Sequence, residues 1–433
     1  MTDDVRLEVP LATGTPRCPA VHGREFDPLA DDQVADPYPW LAEAQREQPV
    51  FHLPAYNVWM VTRHGDASAA LMDTTRFSSK AVFPRENFPS SVESFFRTGD
   101  PREGLLVATD PPQHNRLRRI AQRGFTRPLV AAQESPIRTN ARRLITGFRN
   151  AGQCEFVSAF AAQLPALTIA KMVGLPPEST PEIRRWAEDR QHLLAGAPPS
   201  EPAAQRARAG RLGQFHATLT ALIEERAAAP KQDLASSLLA AAAEEDAAIS
   251  ITEVVGVLGT VLSGGITTTA HFLTFAVRML AGRPLLRDSL RADPTRVPAA
   301  VEELLRLTPS ARTIARVTTC AVELGGVLIP TGAKVLIHNG AAQRDEQVFT
   351  APAEIRIDRA DIGRHFAFGR GIHKCLGSEL VRLQVRVALQ EVLDALPEMA
   401  LEPDQPEEWL PHLLTPGLER LRLRWAADVS STA

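Results

Sequence analysis

From Asp110 to about Thr308 the chain carries apolar residues at the three- and four-residue spacing of one buried helix face, which predicts a mainly helical middle. Prolines break this run at LPPESTPE and AGAPPSEP. In AISITEVVGV, Ser250 and Glu253 form a capping-box pattern that starts a long helix, and Gly282 and Pro284 end it. VPAAVEELLRL reads as a further helix stopped by Pro309, and Gly377 to Leu396 as another, with Leu380, Leu383 and Val387 on one face. Alternation takes over in TTCAVELGGVLIPTGAKVLIH, where glycine turns separate short strands. Near the start, DPYPWLAEAQREQPVFHL reads as a helix leading to a strand, and NVWMVTRHGDASAALMD as a strand then a helix. The pattern predicts a mainly α fold with small β-sheets, residues 1–30 forming an N-terminal extension and residues 31–433 a single domain.

Two segments depart from it. Val254 to Val277 contains no acid, lysine or arginine and is long enough to span a bilayer. It also holds four glycines, five threonines, a serine and a histidine, with no aromatic belt or basic cluster at its ends, so a helix buried in a large core is expected. Residues 78–110 form a long irregular stretch in which prolines interrupt Phe83, Phe88, Phe95 and Phe96. Loops of that length serve as lids or binding loops, or else cover a satellite hydrophobic cluster.

A net charge of −3 in 433 residues lacks the basic excess of a general nucleic-acid binder. Cys18, Cys154, Cys320 and Cys375 are far apart and form no CxxC pair, so neither a disulfide framework nor a zinc ribbon is indicated, and a reducing cytoplasm fits.

Cys375 lies in FAFGRGIHKCLG, at the mouth of a predicted helix. An isolated cysteine reads as a small buried hydrophobe. Here, unpaired backbone N–H groups at the helix start favour a thiolate, and Gly369, Gly371 and Gly377 let a flat, bulky group approach the backbone. Those are the needs of a thiolate bound to haem iron. A closed zinc site needs four ligands, and His373 offers only one nearby.

FGRGIHKCLG, Phe368 to Gly377, resembles the haem-binding signature of the cytochrome P-450 family at every defined position, and the resemblance extends from DPYPWL to LRLRW. It implies a single-domain haem-thiolate fold, haem b as cofactor, Cys375 as iron ligand and Phe368 beside the sulfur. EELLR is similar to the family's Glu-x-x-Arg lock, giving Glu303 and Arg306, with Arg359 as third member. DPPQHNRLRR, ARVTT and RHFAFG place His114, Arg118, Arg316 and His365 where the family binds haem propionates. Gly264, Gly265, Thr267, Thr268 and Thr269 match the oxygen-activation motif of the central helix, except that Thr267 stands where an acid is expected. A hydroxyl passes a proton along a water chain but holds no charge at neutral pH. His271, one turn on, reads either as a member of that relay or as a hydrogen-bonded core histidine.

The resemblance further implies a substrate pocket with Phe83, Phe88, Phe95, Leu105, Leu106, Val107, Leu262, Ile314, Leu413 and Leu414, hence a hydrophobic or aromatic small molecule. Arg97, Arg102 and Arg312 are read either as carboxylate binders or as exposed arginines. No flavin or iron–sulfur module is present in the chain, so electrons are expected from a ferredoxin and its reductase, docking near Arg116, Arg119, Arg123, Arg370 and Lys374. The expected activity is that of a soluble bacterial monooxygenase in the cytoplasm, acting with no nucleic-acid or membrane partner. Thr267 keeps open a peroxide-driven or oxidative-coupling enzyme, and a non-catalytic haem protein is the rival of another class.

Overall fold

A computed structural model describes residues 26–80, 82, 104–194, 201–244 and 249–426. Phe83, Phe88, Phe95, Arg97, Arg102 and the extension through residue 25 lie outside the described residues.

In chain order the helices are α1 (Asp31–Ala35), α2 (Tyr38–Glu47), α3 (His64–Met72), α4 (Gln113–Arg123), α5 (Arg127–Ala131), α6 (Glu134–Thr146), α7 (Gln163–Val173) and α8 (Thr180–Leu194). They continue as α9 (Pro202–Ala228), α10 (Leu234–Glu244), α11 (Ile251–Ala281), α12 (Pro284–Ala292), α13 (Val297–Leu307), α14 (Asn339–Ala342) and α15 (Ser378–Ala395). Strands β1 (Val50–Leu53), β2 (Val58–Val61) and β3 (Phe77–Ser78) join β5 (Thr313–Thr318) and β8 (Lys334–His338) in a sheet of order β1-β2-β8-β5-β3. Within it β2 and β8 run parallel and the other pairs antiparallel. Three small sheets hold the remaining strands: β4 (Gln153–Glu155), β12 (Arg422–Arg424) and β9 (Ala400–Leu401) in that order, β6 (Val322–Leu324) with β7 (Val327–Ile329), and β10 (Trp409–Leu410) with β11 (Gly417–Leu418).

The first proline-rich break falls where the sequence puts it, before α8; residues 195–200 of the second lie outside the described residues, and α9 opens on its last proline, Pro202. Ser250 and Glu253 do cap α11: the Ser250 hydroxyl accepts from the Glu253 N–H at 3.0 Å, and the Glu253 carboxylate accepts from the Ser250 N–H at 3.1 Å. This helix is long and apolar enough to cross a membrane, but α7, α8, α9 and α15 pack around it and bury most of its residues. One continuous apolar core gathers α4 to α13 and α15. Its consequence for function is that α11 and the start of α15 face each other across a gap inside the protein.

Candidate active site

Cys375 sits at the end of a loop whose backbone folds back on itself. Its N–H donates to the Phe368 carbonyl at 2.8 Å, and the Gly369 N–H donates to Phe366 at 2.8 Å. Gly369 and Gly371 both lie in the left-handed region, with φ of 70° and 72°. They serve different ends. Gly369 lines the gap, whereas a side chain at Gly371 would meet the Leu71 carbonyl at 2.7 Å. Gly371 therefore closes the loop against α3 and does not admit a cofactor, which corrects the expectation for it. Phe368 also lines the gap, with the Arg382 guanidinium 4.7 Å from its ring centre. Burial pushes the Cys375 thiol up, opposed by the Gly377 backbone and by the charges of Arg118, Arg382 and Lys374.

The opposite wall is α11. Gly264, Gly265 and Thr268 line a cavity of about 300 Å³ that Cys375, Phe368, Gly369 and Gly377 close from below. At Gly264 a methyl group would meet nothing within 4 Å, so the helix surface there is open; at Gly265 it would come within 2.7 Å of Ile169 on α7. Thr268 Oγ1 donates to the Gly264 carbonyl at 2.6 Å and presents its lone pairs to the space. Leu106, Val107 and Ile314 lie in the lining as expected. Leu262 does not: its side chain is fully buried in the core, since it lies on the face of α11 turned away from the cavity. Leu414 packs instead against the cluster formed by β1, β2 and α2. Among the described residues, no carboxylate lines this cavity.

Cations collect at its edge. Arg118 lines the cavity, and Arg118, Arg316 and His114 each act electrostatically on His373, which lies in the lining too. The His114 and His373 rings are 4.2 Å apart. Nε of Arg118, Nε of Arg316 and Nε2 of His114 are buried with no hydrogen-bond partner, and among the described residues neither arginine has an ion-pair partner. Burial lowers both arginines, Arg316 to about 10, and holds His373 near 3. Buried cations left without acids require anions from outside the chain, and the two propionates of haem fit that need.

His365, expected in this set, is not in it. Its Nε2 is 2.9 Å from Glu302, which also binds Arg382. Burial opposes ionisation of Glu302, but the bonds from His365 and Arg382 prevail and hold it at about 2. His373, two residues before the cysteine, occupies the place assigned to His365. The motif itself was the signal that could have found it.

Thr267 is turned away as well. It lines a second cavity of about 780 Å³ between α8, α11 and residues 410–419, with its hydroxyl buried and unpartnered. His271 lines that cavity too and is held near 4, first by burial and then by His412 and Arg312. The acids Glu155, Glu188 and Asp189 face this space and not the cysteine.

Beneath the loop, Arg306 donates two bonds of 2.8 Å to Glu303, and both side chains are fully buried. Arg359 reaches the same carboxylate at 3.1 Å. Arg306 spends its other donors on the carbonyls of Gln343, Pro352 and Glu354, so α13 ties down the chain leading to Cys375. Arg312 donates to the Val34 carbonyl and covers Trp409, away from the cavity.

The sequence pattern of the cytochrome P450 family matches residues 202–416. Nocardicin C N-oxygenase of Nocardia uniformis subsp. tsuyamanensis is 33% identical, covering 87% of this chain and 93% of its own. The 6-deoxyerythronolide B hydroxylase of Saccharopolyspora erythraea is 30% identical, covering 91% and 97%. Among solved structures, cytochrome P450 CREJ superposes with a TM-score of 0.85 at 27% identity over 93% of this chain and 99% of that one, and has also been solved with (4-ethylphenyl) dihydrogen phosphate.

Proposed function

The chain belongs to the cytochrome P450 family, with its haem b and its oxidoreductase chemistry, and on that premise we propose that it is a bacterial monooxygenase. It acts on an apolar small molecule held above Cys375, giving hydroxylation, epoxidation or dealkylation. The observation that carries this reading is one cavity that joins a buried thiol, an open helix glycine and a hydroxyl, edged by cations lacking acids. Cys375 ligates the iron; Arg118, Arg316, His114 and His373 hold the propionates; and Phe368 with Gly369 shapes the face around the sulfur. When bound, the haem supplies the iron at which dioxygen is reduced and one oxygen atom is passed to substrate.

Among the described residues, no carboxylate stands in the cavity wall to carry protons to that centre. Thr268 carries them: its Oγ1 donates to the Gly264 carbonyl, keeps lone pairs to accept a proton donor from the cavity, and donates in turn when that bond opens. Apolar neighbours such as Val257, Val261 and Phe272 keep bulk water from the same space.

Electrons come from a ferredoxin and its reductase in the bacterial cytoplasm. Arg370 and Lys374 are exposed beside the cysteine loop and suit an acidic partner. Arg116 is tied to Glu253 and is withdrawn from that set.

Among the described residues no acid lines the cavity, which favours one second reading, a peroxide-driven enzyme. Turnover with isotope-labelled dioxygen, ferredoxin and reductase separates the two. Label in the product supports the monooxygenase; product formed only with peroxide supports the alternative. Thr268→Ala should lower coupling of electron use to product, and unchanged coupling would remove Thr268 from the role.

A further inference from the structure

Phe368 lines the Cys375 cavity, and the Arg382 guanidinium stands over its ring with Cζ 4.7 Å from the centre, a cation–π distance. The Cys375 N–H donates to the Phe368 carbonyl at 2.8 Å, so the residue under the cation is bonded to the residue that bears the sulfur. Arg382 lies just over one turn into α15. Two acids hold it in place. Its Nε and Nη2 donate to the two carboxylate oxygens of Glu302 at 2.7 and 3.0 Å, and its Nη1 donates to Glu379 at 3.0 Å. Glu302 is fixed in turn by His365. The His365 Nδ1 accepts from the Ala367 N–H at 3.3 Å, so its Nε2 carries the proton that goes to Glu302, at 2.9 Å.

Arg118, Arg382 and Lys374 each act electrostatically on Cys375, but they are not equivalent. Arg118 stands at the cavity edge, in the set that holds the propionates. Lys374 is exposed, so solvent and salt screen it. Arg382 and Glu302 are only 27% and 26% exposed, and it is the guanidinium of this pair that covers the Phe368 ring. A positive charge fixed there favours whichever state of its surroundings is the more negative.

We propose that Arg382, held over Phe368 by Glu302, limits the electron density that the Cys375 sulfur gives to the haem iron, and so raises the potential at which the ferric iron takes up one electron to become ferrous. This rests on the reading of Cys375 as the iron ligand. Arg382 is a positioning residue: it acts through Phe368 and Cys375 and takes no part in the chemistry. Glu302 works against it in charge and for it in geometry, since the acid that holds the guanidinium in place also offsets part of its field.

The test is a spectroelectrochemical titration of the haem-loaded protein without substrate, which reads the ferric–ferrous couple alone. Arg382→Gln should move that equilibrium roughly tenfold towards the ferric form, a potential about 59 mV more negative for one electron. Glu302→Gln should move it the opposite way, because the acid is lost while the guanidinium stays. Arg382→Lys should fall between the wild type and Arg382→Gln, since the charge remains and the fork is lost. The infrared C–O stretch of the reduced protein with carbon monoxide reads the same donation independently. It should fall in Arg382→Gln, where the sulfur gives more, and rise in Glu302→Gln. A merely structural pair would lower haem content in both variants and would not shift the potential in opposite directions. If Arg382→Gln does not load haem, Glu302→Gln and Arg382→Lys decide the sign and the partial effect. Potentials equal to that of the wild type, or shifts of the same sign for Arg382→Gln and Glu302→Gln, would overturn the proposal. The carbon monoxide Soret band of the same preparations separates the two readings. Without the thiolate band in the wild type, the ligation by Cys375 fails and takes the role of Arg382 with it; with the band and unshifted potentials, only the role of Arg382 fails.

Discussion

Gly264 and Gly371 show how glycines of two adjoining motifs answer different demands. Gly264 faces open space in a regular helix, so Gly264→Ala should fold normally and gain about 1 kcal/mol from helix propensity. The same methyl group would narrow the cavity. Gly371 is left-handed and faces a carbonyl at 2.7 Å, so Gly371→Ala should cost about 1–3 kcal/mol. Urea denaturation of both variants checks the pair, and equal effects of the same sign would contradict this assignment. Arg316 is a buried cation awaiting an acid. Arg316→Gln should release haem to a scavenger protein several-fold faster, and an unchanged transfer rate would remove it from the propionate set. Cys375 was legible because a ten-residue motif surrounds it. His365 was misplaced because sequence order shows which residues are near in the chain, not which way a side chain turns. Thr267 held a readable clue: Thr260, Val261, Gly264, Gly265, Thr268 and Thr269 recur at the helical spacing of one face, and position 267 falls outside that series.

The link between α13 and the loop that follows α14 converts a helix into a clamp. Glu303 and Arg306 are fully buried, and the arginine's bonds reach three carbonyls between residues 343 and 354. Arg306→Ala leaves a buried carboxylate with one cation fewer and should cost about 3–5 kcal/mol. Amide exchange in residues 343–356 should accelerate more than exchange in α11, and uniform acceleration would show that the pair stabilises the fold without fixing this segment. Much at this scale was readable. The Ser250–Glu253 box, the prolines and Gly282 mark their boundaries by which backbone donors they satisfy or remove. The small sheets read less well, because β3, β9, β10 and β11 have only two residues each and β3 pairs with β5 far along the chain. The apolar stretch 254–277 could not be assigned from hydropathy alone, since a membrane and a shell of helices ask for the same side chains.

The molecule as a whole keeps several histidines neutral in its interior. Burial holds His338 near 3 and His271 and His412 near 4, against an ordinary value of 6.5. For a base lowered in the folded state, the unfolded chain takes up protons first. Stability is therefore complete above about pH 6.5 and falls as pH drops towards 4, by up to about 1.4 kcal/mol per pH unit for each group. The urea midpoint should be lower at pH 5 than at pH 7, and a His338→Gln variant should show a shallower slope. A midpoint unaffected by acidification would mean that these rings take up protons as readily in the folded protein as in the unfolded chain.

The central claim is that this fold delivers Cys375 as a thiolate to haem iron, and the spectrum of the reduced protein with carbon monoxide tests it most directly. Wild-type protein should show the strongly red-shifted Soret band of thiolate ligation, and Cys375→Ser should lose it while keeping the fold. A folded wild type that binds no haem, or a Cys375→Ser variant that retains the shifted band, would contradict the account.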